Sequence, residues 1–193
     1  MSPVMASAAA AQKLSWKEFV EFEKGSDQKH EYLRGDVWAM AGGTPEHGRL
    51  AANVIRLLGN ALDGRPCVVF TSDVRVRVNE TDRATYPDTF VVCGAMKTDP
   101  DDKTTVINPV VIVEVLSPGT EASDRGEKFA HYQRLESLQD YVLVSQSSRR
   151  IEVFSRGAGA SWLLTPWGPG QRVPLPSLGV ELDLDAVYFN PLG

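Results

Sequence analysis

The chain has 193 residues, 42% of them hydrophobic and 23% charged, enough apolar material for one substantial core. Its net charge of −5 excludes broad, nonspecific adhesion to nucleic acid or to an anionic membrane, although a locally basic cleft stays open to it. No run reaches the ~18 apolar residues of a membrane span, and Cys67 and Cys93 lack metal-type spacing, so the expectation is a cytoplasmic protein whose cysteines are buried thiols rather than a disulfide.

Residues 1–11 are small and apolar without the basic start of a secretory signal; they read as a loose tail before one domain spanning 12–193. Ser15-Trp16-Lys17-Glu18 has capping-box spacing and predicts a helix to about residue 23. Residues 30–40 alternate around Arg34-Gly35-Asp36 and predict a hairpin. Thr44-Pro45 is an N-cap followed by proline at the first helical position. Leu50, Val54, Leu57, Leu58 and Ala61 then make one apolar stripe down to Asp63-Gly64. Strands are expected over 67–70, with a half-buried continuation through Val74, Val76 and Val78, and over 86–92, where Pro87 stands at the entry. Residues 79–85 read as a polar turn and 97–105 as a surface loop.

Residues 108–118 form the most apolar stretch, a branched run bounded by prolines that reads as a strand covered on both faces. Glu114 is its anomaly, because an ionised carboxylate there costs several kcal/mol unless a cation or hydrogen bonds compensate it. A helix is expected over 121–138, with Asp124, Lys128 and Tyr132 in an i, i+4, i+8 row. Strands follow over 139–145, 150–155 and 160–165, and a short edge strand near 180–184. The alternation predicts a mixed α/β (α+β) sheet with helices packed on it.

Asp88 after Pro87, Glu114 on the buried strand and Lys128 on the following helix make a chemical set. Two carboxylates from neighbouring strands suit a hard cation, and an ammonium beside them could orient or deprotonate water or stabilise phosphoryl charge. These are the parts of metal-assisted phosphodiester hydrolysis. Read singly, Asp88 is an ordinary strand-entry residue and Lys128 a solvated helix residue paired with Asp124. The histidines at 30, 47 and 131 lack the pairing of a zinc site, and His47 reads as a polar helix-start residue. Ser117 lacks a nucleophile-elbow setting; its simpler role is to turn the chain and cap the next helix.

Tyr86-Pro87-Asp88, the run from Val113 to Pro118, and Asp124-Arg125-Gly126-Glu127-Lys128 with Tyr132 resemble the "putative restriction endonuclease" family of bacterial proteins, placed in the PD-(D/E)xK nuclease superfamily. The resemblance spans residues 16–156. It implies a restriction-endonuclease-like mixed sheet flanked by helices, a Mg2+ or Mn2+ ion held by Asp88, Glu114 and Val115, and DNA as substrate. It also implies that the motif lysine, absent at Leu116, has moved to Lys128. Glu31, Asp73, Ser117, Asp124 and Tyr132 are supporting candidates, and Arg75, Arg77 and Arg125 are candidate DNA-backbone contacts. A homodimer is expected, with Trp162, Trp167 and Tyr188 at its interface or in the core. The reading from another class is a catalytically inactive nuclease-like module that binds nucleic acid or protein.

Overall fold

The computed structural model describes residues 13–40 and 42–192, so the expected tail over 1–11 lies outside the described residues. Helix α1 (Trp16–Lys24) opens with the expected capping box: Ser15 Oγ accepts from the Glu18 amide, and the Glu18 carboxylate accepts from the Ser15 amide. Strands β1 (His30–Leu33) and β2 (Asp36–Ala39) form the hairpin, whose turn residues Arg34 and Gly35 both have positive φ, 48° and 95°. Glycine is required at 35 on a second count, since a Cβ there would stand 2.7 Å from that of Lys13. Helix α2 (Pro45–Ala61) follows, its start fixed by the Thr44 hydroxyl, which accepts from the His47 amide.

Next come β3 (Cys67–Thr71), β4 (Arg75–Val78), a 3-10 turn (Asn79–Thr81), β5 (Arg83–Thr85), β6 (Thr89–Cys93), β7 (Thr105–Val106) and β8 (Val111–Leu116). The chain then runs through α3 (Glu121–Arg125), α4 (Glu127–Tyr132), β9 (Asp140–Ser145), β10 (Ile151–Arg156), β11 (Trp162–Trp167), β12 (Arg172–Leu175), β13 (Val180–Asp183) and α5 (Leu184–Val187). A six-stranded sheet has the order β11-β10-β9-β8-β6-β3, a five-stranded sheet the order β2-β1-β5-β4-β7, and β12 pairs with β13. Within the six-stranded sheet β8 and β9 are parallel, and β6 runs antiparallel to β8 with Thr89 opposite Val113. This is a mixed α+β architecture.

Alternation along β8 divides the interior. Val111, Val113 and Val115 face Leu50, Val54 and Leu58 of α2, whereas Ile112 and Leu116 face Phe129 and Tyr132 of α4. Glu114 belongs by parity to the α4 face. Leu116 is packed in that apolar cluster, 2% exposed.

Four expectations are corrected. The residues after Asp73 do not continue β3 but enter the other sheet as β4. The segment read as a polar turn contains β5, three fully buried residues. The single helix over 121–138 is two short helices divided at Gly126 and finished by Tyr132. Cys67 and Cys93 are not thiols: they stand opposite each other on β3 and β6 and form a disulfide, an in-register pairing that spacing along the chain does not disclose. No helix of the described residues is long and apolar enough to cross a membrane.

Candidate active site

Asp88 precedes β6 and Glu114 lies near the end of β8, so the antiparallel pairing of those strands brings the two acids together. The Asp88 amide donates to Glu114 Oε2 at 3.3 Å, and the Val115 amide donates to Asp88 Oδ2 at 2.7 Å. From α4, Lys128 Nζ lies 2.9 Å from Glu114 Oε1, and the Tyr132 hydroxyl donates to that same oxygen at 2.9 Å. Lys128 also reaches Asp124 Oδ1 at 3.2 Å and Glu31 Oε1 at 3.6 Å. Glu31 is held in turn by Arg83, whose guanidinium is shared with Glu127, and Tyr132 contacts the Thr85 hydroxyl at 2.7 Å.

The structure therefore brings together Asp88, Glu114, Val115, Lys128, Asp124, Tyr132 and Glu31. It leaves out two supporting candidates. Asp73 is exposed and bonds to Lys29 and Thr71. Ser117 bonds to the Thr120 hydroxyl and caps no helix through its side chain, Thr120 being the N-cap of α3. Arg75 and Arg77 are also corrected as DNA contacts. Arg75 is buried against Asp102, Thr105 and Tyr86, and Arg77 is tied to Asp99 and Asp82 beneath Trp16. Arg125 is engaged by Glu121 and Glu152.

One residue of the site escaped the sequence. His47, in the first turn of α2, places Nε2 3.2 Å from Asp88 Oδ2. Its only sequence signal is its place just after the Thr44-Pro45 helix start, which gives no hint of what the turn faces.

The electrostatics follow from this crowding. Four carboxylates (Glu31, Asp88, Glu114 and Asp124) face two permanent cations, Lys128 and Arg83, in a largely buried space. Burial raises Glu114 to about 8, opposed by Lys128 and reinforced by Asp88 and Asp124. Burial works to lower Lys128, but Glu114, Glu31 and Asp124 together hold it well above the ordinary lysine value, so its ammonium is permanent. The hydrogen bond to Asp88 raises His47 despite its burial. A cavity of about 630 Å³ opens beside the same first turn of α2, bordered by Glu46, Arg49, Gln146 and Arg149, but the acids do not line it.

A family model described as "Uma2: Putative restriction endonuclease" matches residues 16–186. The chain belongs to the Uma2 family. Two cyanobacterial proteins of Synechocystis sp. (strain ATCC 27184 / PCC 6803 / Kazusa) are similar along most of their length. The uncharacterized protein slr1290 is 36% identical over 91% of this chain and 92% of its own, and the uncharacterized protein sll1609 is 32% identical over 83% and 91%. The crystal structure of "a putative nuclease belonging to DUF820" from Anabaena variabilis ATCC 29413 superposes with a TM-score of 0.73 at 16% identity, covering 91% of this chain and 97% of that one. That likeness is one of fold, and the fold is nuclease-like.

Restriction-endonuclease-like families generally use a divalent cation, and this chain offers oxygen donors for one around Asp88. Carboxylate oxygens of Asp88 and Glu114 and the carbonyl of Val115 are hard donors, and Asp88 Oδ1 carries no hydrogen bond among the described residues. Among the described residues no group of three or more His, Cys, Asp or Glu side chains is placed to hold a metal ion. Instead the Asp88 amide donates to Glu114, and the amide of Val115, next along from Glu114, donates to Asp88.

Proposed function

We propose that the protein is a Mg2+- or Mn2+-dependent endonuclease hydrolysing DNA phosphodiester bonds, with Asp88, Glu114 and the Val115 carbonyl holding the cation and Lys128 assisting the reaction. The observation that carries this reading is the convergence of four carboxyl groups, Glu31, Asp88, Glu114 and Asp124, on one site, with the Lys128 ammonium 2.9 Å from Glu114. When bound, a divalent ion supplies Lewis-acid charge at the phosphoryl group. Lys128 acts as a fixed hydrogen-bond donor to the attacking water or to the phosphoryl oxygens, because three carboxylates keep it protonated and it cannot serve as a base. Tyr132 fixes the Glu114 rotamer through Oε1 and leaves Oε2 on the Asp88 side. Leu116 supplies no charge, and the family's description supports nucleic acid as the substrate class.

A second reading, an inactive nuclease-like module, is favoured by the backbone bonds to the two acids and by the absence, among the described residues, of a group of three or more His, Cys, Asp or Glu side chains placed to hold a metal ion. Cleavage of plasmid and single-stranded DNA with Mg2+ or Mn2+ separates them. The enzyme reading expects nicking by the wild type and a fall of about 10²-fold or more in Asp88→Ala, Glu114→Ala and Lys128→Ala. Wild-type protein that binds DNA without cutting it under either metal selects the module.

A further inference from the structure

We propose that Trp38 is the stacking surface for a base of the DNA strand at this site, so that the protein takes single-stranded or locally unpaired DNA in preference to closed duplex. The inference rests on the nuclease reading of the site around Lys128 and adds a specificity residue and a strand form to it.

Three observations carry it. The first is position. Trp38 on β2 stands opposite Glu31 on β1, and paired residues of an antiparallel ladder share a face, so the ring lies on the side of the five-stranded sheet that meets the site. Arg83 and Thr85 belong to that face too, since Arg83 bonds Glu31 and Thr85 contacts Tyr132. Contacts run unbroken from ring to lysine. The Arg83 guanidinium sits 5.5 Å from the ring centre and 3.0 Å from Glu31 Oε2, and Glu31 Oε1 lies 3.6 Å from Lys128 Nζ. The second is exposure. Trp38 is 39% exposed on an edge strand, whereas Arg83 is buried and fixed by both Glu31 and Glu127. The indole is thus seated on a guanidinium that is held in place, and the uncovered part of its π-surface is open to whatever enters the site. The third is charge. The charges nearest the ring are compensated: Glu31 and Glu127 share Arg83, and Asp36 pairs with Lys13. Arg75, Arg77 and Arg125, the arginines expected to track a phosphate backbone, are each held by carboxylates.

A duplex is gripped chiefly through its phosphates and hides the faces of its bases within its own stack. Beside Trp38 a phosphate finds little uncompensated positive charge, but an uncharged base finds a ring to lie on. Such stacking tolerates any base, because every base has a π-face, and it is available only where the strand is unpaired.

The test measures binding of the full chain to a labelled DNA strand of about 20 nucleotides, alone and annealed to its complement, by fluorescence anisotropy in EDTA and again with Ca2+. The single strand should bind at least about 10-fold tighter than the duplex. Trp38→Leu, which keeps an apolar cover over Arg83 but no ring, should lose about 10-fold in affinity for the single strand, and Trp38→Phe should stay within about 3-fold of wild type. The dependence of affinity on salt should keep its slope in Trp38→Leu, since no phosphate contact is removed. A ring that only shields Arg83 would lower the unfolding temperature of Trp38→Leu and leave its affinity alone. That outcome, equal losses in the Leu and Phe variants, or a wild type that binds duplex as tightly as single strand overturns the Trp38 assignment and leaves the nuclease reading standing. Wild-type protein that binds neither form, in EDTA or with Ca2+, overturns both.

Discussion

Glu114 looks misplaced in the sequence because an apolar run gives no sign of what sits across from it. Its partners arrive from residues 88, 128 and 132, and every one of its oxygens is bonded. Its raised pKa has a definite consequence for stability. Below its ordinary value of 4.5 the carboxyl is protonated in both folded and unfolded chains, and between there and about 8 only the unfolded chain ionises. The stability linked to this proton is thus complete at low pH and lost as pH rises through about 8. We expect Glu114→Gln to gain thermal stability relative to the wild type as pH is raised from about 5 to about 9 without divalent metal, measured as the difference in unfolding temperature. A constant difference would refute the buried proton. At this scale residue types and spacing pointed to Asp88, Glu114 and Lys128, the resemblance added Tyr132 as a supporting residue, and the structure draws the four together. The sequence could not name His47, whose relevance lies wholly in what the first turn of α2 faces.

At the scale of elements, period-2 and capping signals made α1, α2, the first hairpin and β8 legible, because local physics and tertiary packing agree there. Strand β5 was hidden by its own arginine. Arg83 is 2% exposed and neutralised by Glu31 and Glu127, an arrangement that polar composition alone reads as a turn. The i, i+4 relation of Asp124 and Lys128 survives the break at Gly126, with the two still 3.2 Å apart, so their pairing was predictable even though the helix was not continuous. Position 116 also belongs to this scale: Leu116 is core, and the ammonium beside Glu114 comes from Lys128 on α4. Leu116→Ala should cost about 2–5 kcal/mol in denaturant unfolding but leave cleavage within a few-fold of wild type. Lys128→Met should do the reverse, with cleavage lost and stability changed less. Equal loss of cleavage in both variants would mean that position 116 still serves the reaction.

For the whole molecule, two internal ties lie away from the acids, one within each of the two large sheets. Arg75, 5% exposed, joins β4 to Asp102, to Thr105 of β7 and to Tyr86, which in turn donates to Glu23 of α1. Arg75→Ala leaves Asp102 buried without its cation and should cost about 3–5 kcal/mol by urea unfolding. The Cys67–Cys93 disulfide closes a separation of 26 residues on the edge strand β3. Converting both cysteines to serine should lower stability by about 3 kcal/mol at most, since β3 keeps its backbone pairing with β6. An unchanged urea midpoint in the double serine variant would show that the bond adds nothing to the strand pairing.

The division of the interior by β8 has a further consequence. His47 stands on the helix that covers one face of the sheet and Lys128 on the helix that covers the other, so Asp88 and Glu114 are gripped from above and below at once. Either layer can loosen without the strands parting, and loosening either one undoes the grip. In a graded guanidinium titration, cleavage should therefore vanish at a lower concentration than the strand signal in circular dichroism, with tyrosine and tryptophan fluorescence changing alongside activity. The constellation behaves as a clasp between two sheets of packing, and it opens before the cloth tears.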